Sequence, residues 1–258
     1  MHSQIINKRL FGFFTELANI FLFTGSTLRH VFKRPFEGKE FVRQMFEVGY
    51  KSIGLISVTA FIMGLVLTMQ TRPVMAEFGA ESWVPTMVFI AVIIEIGPVI
   101  TALLFAGKVG SRIGAELSSM RVTEQIDAME VSGVYPMRYL VVTRVLATTI
   151  MLPVLVFYAD FLALVGSYLG YTMHNTIGLW LFIRESFDEL YFSDLIPATI
   201  KTFFFGFFIG ILSCYTGYTT NKGAEGVGLA TNMAVILSSL SIFIIDLIAV
   251  QITEIIVV

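Results

Sequence analysis

Apolar residues fill long stretches of this chain, and the charged residues fall mainly between those stretches. Ser52 to Thr71 is 20 residues without a charge, Ser82 to Gly107 is interrupted only by Glu95, and Val145 to Ile183 only by Asp160. Thr202 to Asn221 is unbroken, and Gly226 to Val258 carries only Asp246 and Glu254. Crossing ~30 Å of hydrocarbon takes about 20 helical residues, so the pattern predicts five membrane-spanning helices. The third run is longer than one crossing requires, which predicts a tilted helix or one that continues beyond the bilayer. The predicted class is an all-α membrane protein of about five transmembrane helices, with N-terminal interfacial helices in 1–50 and a transmembrane core in 51–258. No internal repeat or low-complexity linker divides it.

Ahead of the first run, Phe36 to Tyr50 shows a different periodicity. Phe41, Val42, Met45 and Phe46 form one helical stripe, while Glu37, Lys39, Glu40, Arg43 and Glu47 occupy the other side. Such a helix is too short and too charged to cross, and it is expected to lie in the membrane interface. Further upstream, Lys8 and Arg9 precede an apolar stretch, but Glu16 interrupts it and no small-x-small cleavage pattern follows, so the segment reads as retained rather than as a signal peptide.

Composition agrees with the membrane class. Hydrophobic residues make up 56% of the chain and charged ones 14%, against roughly 25% charged in an ordinary soluble domain. The net charge of −2 carries no nucleic-acid signature, and the lone Cys214 excludes an intrachain disulfide. The distribution of charge says more than its sum. Residues 1–51 hold eight of the 17 lysines and arginines and the 107–144 loop holds five, whereas 72–81 and 173–194 hold one each. The positive-inside rule therefore predicts a cytoplasmic N-terminus, a cytoplasmic 107–144 loop and an outer C-terminus, with Lys222 and Glu225 in a neutral inner turn.

The 107–144 loop is unlike an ordinary connector. Gly107, Gly110 and Gly114 offer a small-residue face to a neighbouring helix. Val122, Ile126 and Met129 fall on one side of a helix, Glu124, Asp127 and Glu130 elsewhere, and Gly133 with Pro136 supplies a stop signal. A short amphipathic helix there can dock into a groove of a soluble partner, or it can pack on the chain's own spans. Periodicity leaves both open.

The run Gly-Ala-Glu-Leu-x-x-Met-Arg-Val-Thr-Glu-Gln-Ile-Asp-Ala-Met at 114–129, with Glu-Ile-Gly-Pro at 95–98 and Ala-Leu-Leu-Phe-Ala-Gly at 102–107, resembles the MlaE/YrbE permease family. These are membrane subunits of ABC-type lipid transporters, and the resemblance runs from about residue 40 to the end. It implies a homodimer moving phospholipid between the inner membrane and a periplasmic ring of MCE-domain proteins, in the service of outer-membrane lipid asymmetry. It also implies an ATPase docked on a coupling helix at about 114–132, through Glu116, Met120, Arg121, Glu124, Ile126 and Met129, with a small STAS-type cytoplasmic subunit as a further partner. ATP and Mg belong to the ATPase: Gly107-Lys108 is followed by Val109 and Gly38-Lys39 by Glu40, so the phosphate-binding Gly-Lys-Ser/Thr sequence is missing. No cofactor is expected in this chain.

Glu95, Asp160, Lys201 and Asp246 lie within or beside the apolar runs, where a charge must face protein or water or find a partner. A buried network that fixes the helices is one reading, and a headgroup or proton site is the other. The resemblance implies an internal network of Glu95, Lys201 and Asp246 in the cytoplasmic half. The arginine that the family often has before the glutamate is here Ile94, which leaves Lys201 as the counter-charge for Glu95, Asp246 or both. Asp160 receives no role from the resemblance. The implied acyl-chain cavity lies at a dimer interface and draws on Leu67, Gln70, Val74, Met75 and Phe78, with Gln70 its one polar anchor and Arg72 the cation near its mouth. A proton-coupled secondary transporter using Glu95, Asp246 and Lys201 is the rival class; an odd number of spans without repeats weighs against it.

Overall fold

The computed structural model describes residues 2–33, 36–173, 176–220 and 223–257. Lys222, and with it the expected inner turn, lies outside them. The described residues are helical and contain no strand. Helix α1 is His2–Val31, α2 Gly38–Val48 and α3 Ile53–Glu77. Helices α4 (Val84–Ala91), α5 (Gly97–Phe105) and α6 (Ser111–Val122) run on from one another through π-helical turns at Val92–Ile96 and Ala106–Gly110. Next come α7 (Gln125–Val131), a π-helical turn at Met137–Val142 continuing into α8 (Thr143–Thr172), then α9 (Leu179–Phe187), α10 (Phe192–Tyr218) and α11 (Gly223–Val257). Five continuous helical stretches are long and apolar enough to cross a membrane, centred on α3, α4–α6, α8, α10 and α11.

Local sequence sets several of the boundaries. Gly79 takes φ +69° just past α3, where its N–H donates to Ala76 O and that of Ala80 to Met75 O, so the last carbonyls are satisfied. Gly133 repeats the device after α7, at φ +79°, with bonds to Glu130 O and from Val134 to Met129 O. The third apolar run proves to be two elements. After α8 ends, α9 folds onto α4, with the Thr86 hydroxyl donating to Glu185 O at 2.7 Å and Phe89 meeting Phe187 edge-on at 4.6 Å.

Span three, α8, is the hub, packed by α3 on one side and α10 on another. Its contact with α3 is backbone against backbone: a Cβ at Gly64 would overlap the Ala163 carbonyl, and one at Gly166 the Phe61 carbonyl. Such reciprocal glycine contacts let helices approach in lipid, where apolar side chains alone give little reason to associate. In the apolar windows of spans three and five, 67% and 17% of residues are buried, respectively. Spans one and five therefore form the broad apolar exterior.

Helix α2 corrects the sequence expectation. Its buried residues are Glu40, Gln44 and Val48, while Val42 and Phe46 face outward. The Gln44 amide donates to Glu40 at 2.7 Å and the Tyr139 hydroxyl donates to the same carboxylate at 3.3 Å. Phe41 and Met45 still pack on the core, so the apolar stripe is shared between protein and lipid. Part of the polar side is turned inward because it finds hydrogen-bond partners there.

Candidate functional site

Three of the four residues singled out by charge within the spans, Glu95, Lys201 and Asp246, converge. Lys201, on α10, is buried, and its ammonium donates to Glu95 Oε2 at 2.7 Å and to Asp246 Oδ1 at 2.8 Å. Glu95 comes from the π-helical turn in span two and Asp246 from α11, so one lysine ties together spans two, four and five. The extra residue in a π-helical turn re-aims the side chains around it, and such turns recur at functional sites. One cation between two acids leaves a negative charge unbalanced when both acids are ionised. That arrangement can lock three helices, and it can release them if either acid changes its charge or partner.

The triad lies in the first half of α10 and the last third of α11. Those ends adjoin the 173–194 segment and the C-terminus, the side that the basic residues assign to the outside. The expected position in the cytoplasmic half is therefore corrected: the triad sits in the half away from the coupling segment. Two open grooves flank it. One, of about 500 Å³, includes Glu95, Asp194, Lys201 and Glu254; the other, of about 890 Å³ between α10 and α11, is walled by Ile200, Phe204, Phe208, Ile245 and Ile248 and reaches Lys201.

The expected lipid-cavity residues separate. Leu67 and Met75 pack against the cluster of Val84, Val88 and Phe182. Gln70, Val74 and Phe78 are exposed on the single chain. Spacing alone suggested one face for Leu67, Val74 and Phe78, but toward the end of α3 the packing passes to Met75 and leaves Val74 and Phe78 open. Arg72 faces Glu81 at 3.6 Å.

The coupling segment is two helices rather than one. Glu124 adopts φ +56°, a left-handed conformation that breaks the axis between α6 and α7. Helix α6 continues span two and wedges between α10 and α11, with Gly114 against Ala234 and Gly110 near Ser213; Gly107 faces open space. Ile126 is fully buried and Met120 and Met129 pack on the core, so this face seats the segment on its own chain. Glu124, Asp127, Glu130 and Val131 stay exposed. Arg121 donates to Asp127 at 2.5 Å. Glu116 is held by Arg144, a buried arginine at the start of α8, at 2.7 Å, and the same guanidinium donates to Leu140 O. Arg144 was not a sequence-derived candidate, since it sits at the edge of a basic loop where exposure is the ordinary state. Nearby, Arg112 donates to Glu47 at 2.5 Å and Lys108 to Lys51 O, fastening α2 and the start of span one to span two.

Residues 41–252 match the family model described as Permease MlaE. The chain belongs to the MlaE permease family. A probable ABC transporter permease protein of Rickettsia felis is 36% identical over 242 residues, covering 94% of this chain and 93% of the relative. A probable ABC transporter permease protein of Synechocystis is 34% identical over 233 residues, covering 90% and 88%. The chloroplastic protein TRIGALACTOSYLDIACYLGLYCEROL 1 of Arabidopsis thaliana is 31% identical over 225 residues, covering 87% of this chain and 64% of the relative. This MlaE-family chain is thus a multi-pass ABC transporter permease, which sets the proton-coupled secondary class aside.

Proposed function

We propose that this permease moves phospholipid across or out of the bilayer, driven by an ATPase that binds its exposed coupling surface. The observation that carries the reading is the apolar groove between α10 and α11, which reaches the triad at Lys201. Acyl chains suit the apolar walls, and a polar headgroup suits the charged end. The Arabidopsis relative is named after a diacylglycerol lipid with a galactose headgroup. The exposed faces of spans one and five supply the surface for a second copy, and Gln70, Val74 and Phe78 are then the part of α3 that a partner would enclose. In this assembly ATP and Mg sit on the ATPase, a periplasmic MCE ring receives the lipid, a small STAS-type subunit joins on the cytoplasmic side, and the membrane is the bacterial inner membrane.

Orientation follows the basic residues: N-terminus and coupling segment inside, C-terminus outside. Ser118 and Ser186 are fully buried, so cysteine labelling should use the exposed Ser132 and Ser193 in a background lacking Cys214. Label added from the periplasm should reach S193C only; labelling of S132C instead would reverse the topology. Purification of the native complex tests the motor: a stoichiometric ATPase is expected, and charge reversal at Glu124 with Glu130 should release it or uncouple ATP turnover from lipid transfer. Retention of both would leave the segment a packing element.

A further inference from the structure

Asp160 takes no part in the triad, although it lies at a similar depth on α8. It is 8% exposed, and its Oδ1 has no hydrogen-bond partner among the described residues. The carboxyl instead packs on main chain: a Cβ at Gly97 would overlap Oδ1. Gly97 and Pro98 open α5 directly after the π-helical turn that carries Glu95. Asp160 and the triad therefore touch the same turn of span two.

The niche around the carboxyl is lined by Ile93, Pro98, Pro153, Thr199 and Thr202 and measures about 10 Å³, room for one water at most. A hydrogen-bond donor is what it lacks. The Thr199 hydroxyl donates to Leu195 O at 2.9 Å and that of Thr202 to Thr199 O at 2.7 Å, so toward the niche both can only accept. Pro98 has no N–H, and the carbonyl about one turn before it, at Ile93 or Ile94, loses its usual donor. An ionised Asp160 would add further acceptors to this set, and its charge would be buried without a counter-ion. The charged groups that the packed elements carry at this depth, Glu95 and Lys201, are engaged with each other. A proton on the carboxyl removes the charge and supplies the missing donor together.

We propose that Asp160 is a resident proton site: its carboxyl is neutral, and its O–H is donated to the turn of span two that bears Glu95, clamping that turn to span three. Asp160 is then a positioning residue for Glu95, acting from the side of the turn that Lys201 does not hold. The π-helical turn that runs into Gly97–Pro98 gives the acid both the space to approach and a carbonyl to bind.

Infrared difference spectroscopy on the purified complex, wild type against D160N, reads the proton without reference to what is transported. A protonated-carboxyl band at neutral pH that vanishes in D160N is expected; no such band means an ionised Asp160 and overturns the proposal. Asparagine keeps an N–H donor without charge, so D160N should retain most ATP-driven lipid transfer, whereas D160L, which leaves an acceptor unpaired, should lose about tenfold. D160N failing as badly as D160L would overturn the donor role. If D160L does not assemble, the infrared comparison still decides.

Discussion

The ammonium of Lys201, buried in the middle of the bundle, faces two carboxylates, whereas the guanidinium of Arg121 faces one, that of Asp127, at an exposed edge. The two ion-pair systems differ in what replaces a lost partner. On the coupling side water can take over, so each pair adjusts local geometry more than it holds the fold. At the triad Lys201 and Asp246 are shielded and only Glu95 opens partly to the flanking groove, so an orphaned charge there is poorly hydrated and must be neutralised or the helices must move. Arg144–Glu116 shares the burial pattern of Lys201–Glu95, a buried cation on a partly exposed carboxylate, but its cation holds a single acid and lies beside the 107–144 loop. The membrane triad is thus the place where a change of charge can alter helix packing, and the exposed 107–144 loop is the place proposed for the ATPase contact.

Four substitutions test this contrast, ordered by expected effect. Lys201→Ala leaves two acids without their cation and should cost about 3–5 kcal/mol in the thermal unfolding of the purified permease. Adding Glu95→Gln or Asp246→Asn should recover part of the loss, whereas additive losses would mean that the groups act separately. Arg144→Ala removes bonds to Glu116 and Leu140 O from a buried site and should cost about 1.5–3 kcal/mol; a negligible loss would place Arg144 with the exposed pairs. Glu124→Gly relieves a left-handed backbone and should gain up to about 1 kcal/mol, with a destabilised variant showing that the kink is held by the glutamate side chain. Arg121→Ala should cost under about 1 kcal/mol, and less at high salt. An Arg121 effect equal to that of Lys201 would erase the distinction between the two regions.

Long charge-free runs made the five spans legible, because length and apolarity alone decide a crossing. The triad was legible in two steps: the cost of charge in a span marks Glu95, Asp160, Lys201 and Asp246 alike, and it was the family resemblance, with Ile94 where an arginine is common, that implied a network of three with Lys201 as counter-charge. Depth was harder to read. The position of Lys201 along α10 acquires meaning only once the ends of the helices are assigned to sides. Helix α2 was misjudged because helical periodicity separates apolar from polar faces without showing that Glu40 and Gln44 satisfy each other beneath the surface. The kink at Glu124 has no turn signal, since glutamate is not a residue that favours φ above zero. Leu67 and Val74 share a face by spacing, yet only Leu67 is covered, because the cluster that includes Phe182 of α9 takes Met75 in place of Val74. The π-helical turns leave no simple periodic trace, and with them the relation of Asp160 to Gly97 stayed hidden.

Carriage of diacyl lipid, powered by a partner ATPase, is the function proposed for this permease. Mass spectrometry of lipids released from the purified native complex, wild type against a variant with aspartate at Ile200 in the wall of the α10–α11 groove, tests it most directly. Stoichiometric diacyl phospholipid is expected in the wild type, with phosphatidylethanolamine and phosphatidylglycerol both present because Lys201, the cation at the groove, is engaged by Glu95 and Asp246, and marked loss of lipid in I200D while the ATPase stays bound. Wild-type complex without diacyl lipid, or lipid loading that ignores Ile200→Asp, would contradict it.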